Sequence, residues 1–79
     1  MVTVRYWAGA RAAAGVAEEA VQADTIGELL DAVAGRHGIE RVLAGCSLLV
    51  DGTAVRREEA DRPLPAGSVV DVLPPFAGG

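Results

Sequence analysis

The sequence predicts an α+β fold in which a mixed five-stranded sheet packs on one main helix. Three observations predict it. The first residues alternate apolar and polar side chains, residues 25–38 carry the periodicity and end signals of an amphipathic helix, and three further apolar segments follow. Strands and a helix in this order form one sheet with a helix on one face. With 79 residues, the chain is expected to be a single domain.

The N-terminal strand is predicted from a period-two pattern. Val2, Val4 and Tyr6 share one face of the strand, and the residues between them share the other. A weaker alternation over residues 16–23 predicts a second strand. An alanine-rich connection, which could be a loop or a short helical turn, joins the two strands into a hairpin.

The main helix has signals at both ends. Thr25 and Glu28 have the spacing of a capping box. In this motif the Thr25 oxygen accepts from the Glu28 amide, and the Glu28 carboxylate accepts from the Thr25 amide. Gly38 suits the left-handed position after a helix, and Arg36 and His37 lie where the helix dipole favours cations. The apolar stripe between these ends is formed by Ile26, Leu29, Leu30 and Val33.

Three strands are predicted after the helix. Residues 47–50 and 53–55 flank Asp51-Gly52, a pair typical of a type I′ hairpin turn. Residues 69–73 form the last strand. The predicted order of elements is therefore β-β-α-β-β-β, which is the order of a β-grasp fold.

Composition excludes several classes of function. The formal net charge is -4, and nucleic-acid binding requires clustered basic residues, so no nucleic-acid partner is expected. All 7 basic residues are arginine. No segment has the length of a membrane span or the pattern of a signal peptide. The single cysteine, Cys46, is compatible with a reducing compartment, so we expect a cytoplasmic protein.

Side chains that often carry chemistry lack catalytic or metal-binding spacing. His37 is the only histidine, and no metal site is expected. Cys46 lies among leucines and is interpreted as a small core residue rather than a nucleophile. Glu18 and Glu19 are adjacent, so on a strand they point to opposite faces and do not form an acid–base pair.

The candidate functional segment is the C-terminal tail, predicted as a flexible segment at residues 74–79 that follows a folded domain at residues 1–73. Two prolines stop the last strand and extend the exit from the sheet. In extended form the tail reaches roughly 20 Å. Two terminal glycines would let it enter a narrow channel, although a frayed end is the alternative. The predicted site residues are Pro74, Pro75, Phe76, Ala77, Gly78 and Gly79.

The chain resembles the MoaD/ThiS family of ubiquitin-like sulfur carriers over essentially its whole length. The resemblance rests on residues 2–8 (VTVRYWA), 25–30 (TIGELL), 64–70 (LPAGSVV) and 73–79 (LPPFAGG). The Gly-Gly end is shared by all these carriers. The preceding Pro-Pro is more characteristic of the MoaD branch, the small subunits of molybdopterin synthase, in which the position of Phe76 is usually valine.

The resemblance implies a function for Gly79. An E1-like adenylyltransferase would use ATP to adenylate the Gly79 carboxylate, and a sulfur donor would convert it to a thiocarboxylate. The large subunit of molybdopterin synthase would then receive the tail, and the sulfur would pass to cyclic pyranopterin monophosphate in molybdenum cofactor biosynthesis. The resemblance also implies a heterotetramer, no cofactor bound to this chain, and catalytic side chains that belong to the large subunit.

Two alternatives remain open. The carrier could supply sulfur for cysteine, thiamine thiazole or tRNA thiolation. The fold could also be a non-catalytic β-grasp interaction module, since a fold alone does not fix a function. For partner contact we expect an apolar patch on the sheet face opposite the helix, extended by Phe76.

Overall fold

A computed structural model shows one mixed sheet of five strands with the longest helix packed across it. The structure describes residues 1–74, apart from the side chain of Arg57. The elements in chain order are β1 (Val2–Tyr6), α1 (Ala8–Ala14), β2 (Glu18–Val21), α2 (Ile26–His37), α3 (Glu40–Ala44), β3 (Ser47–Val50), β4 (Thr53–Val55), a 3-10 turn (Arg57–Glu59) and β5 (Val69–Leu73).

The strand order in the sheet is β2-β1-β5-β3-β4. The central strands β1 and β5 are parallel, and Tyr6 lies opposite Val72. All other neighbours are antiparallel. Two hairpins joined by a helical crossover, with the last strand inserted between them, form the ubiquitin-like β-grasp fold. The predicted fold class is therefore confirmed.

The core lies between α2 and one face of the sheet. Both central strands and the helix stripe contribute side chains that are 2% exposed or less: Val2, Val4, Tyr6, Ile26, Leu29, Val33, Val70 and Val72. Burying one aliphatic side chain of this size stabilises a fold by about 1.5–3 kcal/mol. The predicted period-two and helical patterns therefore identify the residues that hold α2 on the sheet.

The ends of α2 follow the sequence signals with one difference. The Thr25 hydroxyl accepts a hydrogen bond from the Glu28 amide at 3.2 Å. The Glu28 carboxylate accepts from the amide of Asp24 at 3.1 Å, whereas the capping box predicted the amide of Thr25. Gly38 has φ of 66° and donates to the Ala34 carbonyl, as expected for a left-handed helix end.

The connections within the two hairpins also follow the sequence signals. The alanine-rich connection between β1 and β2 folds as α1, one of the two forms left open by the sequence. In the β3–β4 turn, Asp51 and Gly52 have φ of 49° and 86°, as a type I′ turn requires. The Asp51 carboxylate also accepts from the Val69 amide at 2.9 Å, which ties this turn to the first residue of β5.

Candidate functional site at the end of the last strand

The chain leaves the sheet from β5, which lies between two hydrogen-bonded neighbours. At the exit, Leu73 lies opposite Ser47 of β3. On the other side, the Trp7 amide donates to the Val72 carbonyl at 3.1 Å, which extends the pairing with β1. Pro74 follows and is half-buried. Residues 75–79, which include the predicted site residues Pro75, Phe76, Ala77, Gly78 and Gly79, lie outside the described residues.

A charged group occupies the sheet face opposite α2, beside this exit. Asp71 of β5 lies opposite Arg5 of β1. Arg5 donates from Nε to Asp71 Oδ1 at 2.7 Å and from Nη2 to Oδ2 at 3.0 Å. The indole Nε1–H of Trp7 donates to the same Oδ1 at 2.9 Å. We call Arg5, Trp7 and Asp71 the outer network.

The outer network keeps both of its charges at neutral pH. The hydrogen bonds from Arg5 lower the pKa of Asp71, partial burial opposes this shift, and the bond from Trp7 adds to it. The hydrogen bond to Asp71 and its negative charge raise the pKa of Arg5. A bidentate pair of this kind has a defined geometry, because the planar guanidinium matches the carboxylate. The carboxylate is therefore a fixed acceptor for Trp7.

Trp7 projects from the end of β1 toward solvent. The residue is 47% exposed although its indole N–H is bonded, and Asp71, which accepts that bond, is only 6% exposed. The guanidinium carbon of Arg5 lies 5.8 Å from the centre of the indole ring, within the range of a cation–π contact. The result is a large, partly exposed aromatic surface, hydrogen-bonded to Asp71, next to the start of the tail.

Apolar side chains surround the outer network on the same face. Leu49, Val69 and Leu73 are half-buried there, and Ala54 is exposed. The face therefore has apolar residues, as the sequence analysis expected of a partner-binding surface. It also has a charged pair at its centre, which the sequence analysis did not predict.

A second network lies on the helix side of the sheet, between β2 and the end of α2. Glu19 Oε2 accepts from the Tyr6 hydroxyl at 2.6 Å and lies 2.5 Å from His37 Nε2. Glu19 Oε1 accepts from Arg36 Nη1 at 2.7 Å. The Tyr6 and His37 rings meet edge to face with centroids 5.9 Å apart. We call these four residues the inner network.

The inner network shifts the ionisation of its members. Burial alone would raise the pKa of Glu19, but the bonds from Tyr6, His37 and Arg36 outweigh burial and lower it to about 2. Burial is the larger cause that raises the pKa of Tyr6, and the bond to Glu19 adds to it. These groups connect the edge strand β2 to α2, so their evident role is to hold the helix on the sheet.

Two features common in enzyme active sites, a cluster of metal ligands and a pocket, are absent from residues 1–74. No group of three or more His, Cys, Asp or Glu side chains in this part could hold a metal ion. This part also encloses no pocket. Cys46 is 8% exposed, and its thiol donates to the Val42 carbonyl at 3.1 Å, as expected for a core residue. None of the helices in residues 1–74 has the length and apolar character that spanning a bilayer requires.

Sequence reasoning missed both networks, although each leaves a signal. Asp71 interrupts an otherwise apolar strand, and a carboxylate in such a position requires a partner. Arg5 lies on the polar side of β1, and the period-two pattern that places it there does not identify a partner on another strand. Glu18 and Glu19 lie on opposite faces, as predicted, but the sequence does not show that the inward side chain, Glu19, meets His37.

Comparison with known proteins identifies the class. A model described as the ThiS family matches residues 4–79. The chain therefore belongs to the ThiS family of ubiquitin-like sulfur carriers, and the predicted family resemblance is confirmed. Among curated proteins, a search with this sequence gave no match.

Solved structures similar to this chain include the following three. One from Pyrococcus furiosus, described as a molybdopterin converting factor subunit 1, is 29% identical with a TM-score of 0.82, covering 95% of this chain and 97% of that chain. A chain of the Amycolatopsis orientalis BexX/CysO complex is 26% identical with a TM-score of 0.83, covering 100% of both chains. SAMP1 from Haloferax volcanii is 28% identical with a TM-score of 0.76, covering 99% and 98%.

Proposed function

We propose that this chain is the sulfur-carrying small subunit of a molybdopterin synthase, with the sulfur held as a thiocarboxylate on Gly79. The observation that carries the proposal is the family match, which extends to residue 79 and so includes the Gly78-Gly79 end. The likeness to the Pyrococcus furiosus protein supports molybdopterin as the product.

The proposed chemistry explains why a carrier needs a bare C-terminal glycine. A carboxylate is a poor electrophile, so an E1-like enzyme first joins it to the AMP unit of ATP and releases pyrophosphate. The sulfur of a donor then attacks the acyl carbon, and the bond to AMP breaks. If the donor is a persulfide, this attack joins Gly79 to the donor through an acyl disulfide. A thiol then cleaves the sulfur–sulfur bond and forms a disulfide with the donor, so that Gly79 leaves as a thiocarboxylate. The thiocarboxylate can give its sulfur to cyclic pyranopterin monophosphate, and hydrolysis by water returns the Gly79 carboxylate.

The described part of the chain supports this role as a rigid base. β5 is fixed on both sides at the point where the tail begins, and Pro74 has no N–H with which to continue the pairing. From there the six residues 74–79 reach roughly 20 Å when extended. Glycine has no side chain to obstruct a narrow channel, so the terminal carboxylate could reach catalytic groups inside a partner.

The proposal assigns the remaining chemistry to partners. The large synthase subunit would supply the catalytic side chains, in a heterotetramer with two copies of this chain. An E1-like adenylyltransferase would use the ATP, and a separate donor would supply the sulfur. The chain itself would hold no cofactor and would act in the cytoplasm.

A second acceptor is favoured by one observation. The chain of the BexX/CysO complex has nearly the same identity to this chain as the Pyrococcus furiosus protein and is covered completely. In that case Gly79 would still carry the sulfur, and the sulfur would be used for cysteine, thiamine thiazole or tRNA thiolation instead of the pterin. Loss of molybdoenzyme activity in a deletion strain supports the pterin acceptor, whereas auxotrophy for cysteine or thiamine contradicts it.

The test of sulfur carriage is the intact mass of the purified chain after incubation with ATP, a sulfur source and extract of its own host. We expect a gain equal to the exchange of one oxygen for one sulfur. Oxidation of Met1 changes the mass by nearly the same amount, so the product is also alkylated under denaturing conditions. In a Cys46→Ala background, one alkylation reports the thiocarboxylate, because no cysteine remains.

The matched control lacks only Gly79. It should gain neither the mass nor the alkylation in the same extract. If the complete chain also gains neither, while the extract loads a known carrier, the sulfur-carrier proposal is wrong for this chain. An interaction module would then be the better explanation.

A further inference from the structure

We infer that the outer network is a specificity element, which presents the Trp7 indole to the large subunit that receives the tail. The inference rests on the proposed function, because it names the surface by which the same partner recognises this chain. Trp7 would be the contact residue, and Arg5 and Asp71 would be positioning residues that act through it.

The length of the tail determines where the partner must lie. In the proposed function the sulfur is held on Gly79, and residues 75–79 span about 17 Å when extended. A partner that holds the terminal carboxylate in a channel must therefore lie close to the end of β5. Trp7 is at that end, since its amide bonds the Val72 carbonyl at 3.1 Å. The tail cannot be inserted deeply without bringing the partner over the indole.

The geometry of the outer network is better explained by orientation than by stability. Arg5 has a side chain that is 44% exposed, and ion pairs with such exposure contribute little to folding. Asp71 nevertheless places a carboxylate on a central strand and uses it to bond both Arg5 and Trp7. The arrangement therefore orients the large aromatic side chain of Trp7. Aromatic side chains that serve as anchors are typical of binding hot spots.

The same contacts define the chemistry of the complementary surface. The indole requires an apolar pocket, because its one N–H is already bonded to Asp71. Arg5 uses its guanidinium to hold the Asp71 carboxylate in place, so it acts on the partner only through the orientation of the ring. The large subunit should therefore offer an apolar pocket that receives the indole. Half-buried Leu49 and Leu73 would lie at the margin of the contact.

The test is a double-mutant cycle with the purified large synthase subunit of the same host, measured by titration calorimetry. Trp7→Ala should weaken binding about thirtyfold, the loss expected at a hot spot. Asp71→Ala should weaken it about fivefold when Trp7 is present and hardly at all in the Trp7→Ala background. This dependence on Trp7 is the sign of a positioning role, since a general loss of structure would act in both backgrounds.

Two further variants keep the result interpretable. Trp7→Phe retains an aromatic ring but has no N–H, so it should lose the coupling to Asp71 while binding better than Trp7→Ala. Arg41→Ala removes an exposed arginine from α3 and should bind like the unchanged chain. The unfolding midpoint of each variant is measured alongside, so that a folding defect is recognised.

The outcomes separate the inference from the function on which it rests. If the unchanged chain binds the large subunit and the effects of Trp7 and Asp71 simply add, the specificity element is contradicted and the carrier function stands. If the unchanged chain loads sulfur but does not bind the large subunit, the molybdopterin assignment and this inference both fall. If the unchanged chain neither loads sulfur nor binds the large subunit, the carrier proposal is wrong, and the inference about Trp7 falls with it.

Discussion

The two networks place similar chemistry on opposite faces of one sheet. In each, a carboxylate on a strand accepts from an arginine and an aromatic side chain: Glu19 from Arg36 and Tyr6, and Asp71 from Arg5 and Trp7. The inner network encloses its aromatic residue, since Tyr6 is 2% exposed, whereas the outer network leaves Trp7 47% exposed. The two arginine side chains are similarly exposed, at 47% for Arg36 and 44% for Arg5, so the networks differ in whether the aromatic donor is buried. A buried donor ties the carboxylate to the fold, whereas an exposed donor leaves an aromatic ring at the surface, where we infer that it serves recognition.

The largest expected difference between the two networks is the loss of stability when the carboxylate of each is removed. Glu19→Ala leaves the hydroxyl of buried Tyr6 and the 14%-exposed side chain of His37 without their acceptor. Because unsatisfied buried groups are costly, we expect a loss of about 2 kcal/mol in the free energy of unfolding. Asp71→Ala should cost about 1 kcal/mol or less, because Arg5 and Trp7 can both reach water. Urea unfolding of the two variants measures the difference.

The opposite order would contradict this division of roles. If Asp71→Ala were the more destabilising variant, the outer network would belong to the folding core rather than to a binding surface. A Glu58→Ala variant, which removes an exposed carboxylate from the 3-10 turn, serves as the control for loss of a charge.

The loss of stability at acid pH provides a second test of the inner network. Glu19 has an ordinary pKa of 4.5, which the fold lowers to about 2. Its ionised form is therefore stabilised by folding. That contribution is complete above the unfolded value of 4.5 and is lost as the pH falls toward 2. In Glu19→Gln this part of the loss should be absent, so its stability should change less between neutral pH and about pH 3.

The measurement is the urea midpoint of both proteins at several pH values in that window. The remaining slope reports other carboxylates, including Asp71, whose pKa is also lowered by its bonds. An unchanged acid slope in Glu19→Gln would show that Glu19 does not couple protonation to folding.

Much of the fold follows from the sequence because it depends on local periodicity. The alternation in β1, the stripe of α2 and the Asp51-Gly52 turn each specify an element through neighbours that are close in the chain. Burial confirms the first two, and the positive φ angles of Asp51 and Gly52 confirm the turn. Their order then favours a β-grasp sheet. The hydrogen bond of Glu28 shows where residue spacing stops being informative. The carboxylate accepts from the Asp24 amide, one residue before the predicted Thr25 amide, and spacing cannot distinguish the two.

The candidate site is less predictable because it joins distant residues. Arg5 and Asp71 are separated by 66 positions, and they meet only because β1 and β5 are parallel neighbours. Strand order and register are not encoded in either strand alone. Likewise, Glu19 could be assigned to a face but not to its bond with His37, which depends on where α2 ends against β2. The predictions for Gly78 and Gly79 rest on sequence and family, and they stay predictions.

The smallest expected effect concerns the motion of the Trp7 indole. Trp7 is the only tryptophan, so its fluorescence reports the outer network without interference. If Asp71 and Arg5 hold the ring, its anisotropy should decay mainly with tumbling of the whole domain, and Asp71→Ala should add a faster component on the picosecond-to-nanosecond scale of side-chain motion. Glu19→Ala should leave the Trp7 decay unchanged while the domain is folded, since the inner network lies across the sheet. A fast component already present in the unchanged chain would mean that the hydrogen bond to Asp71 does not fix the indole, and the surface presented to the large subunit would then form only on binding.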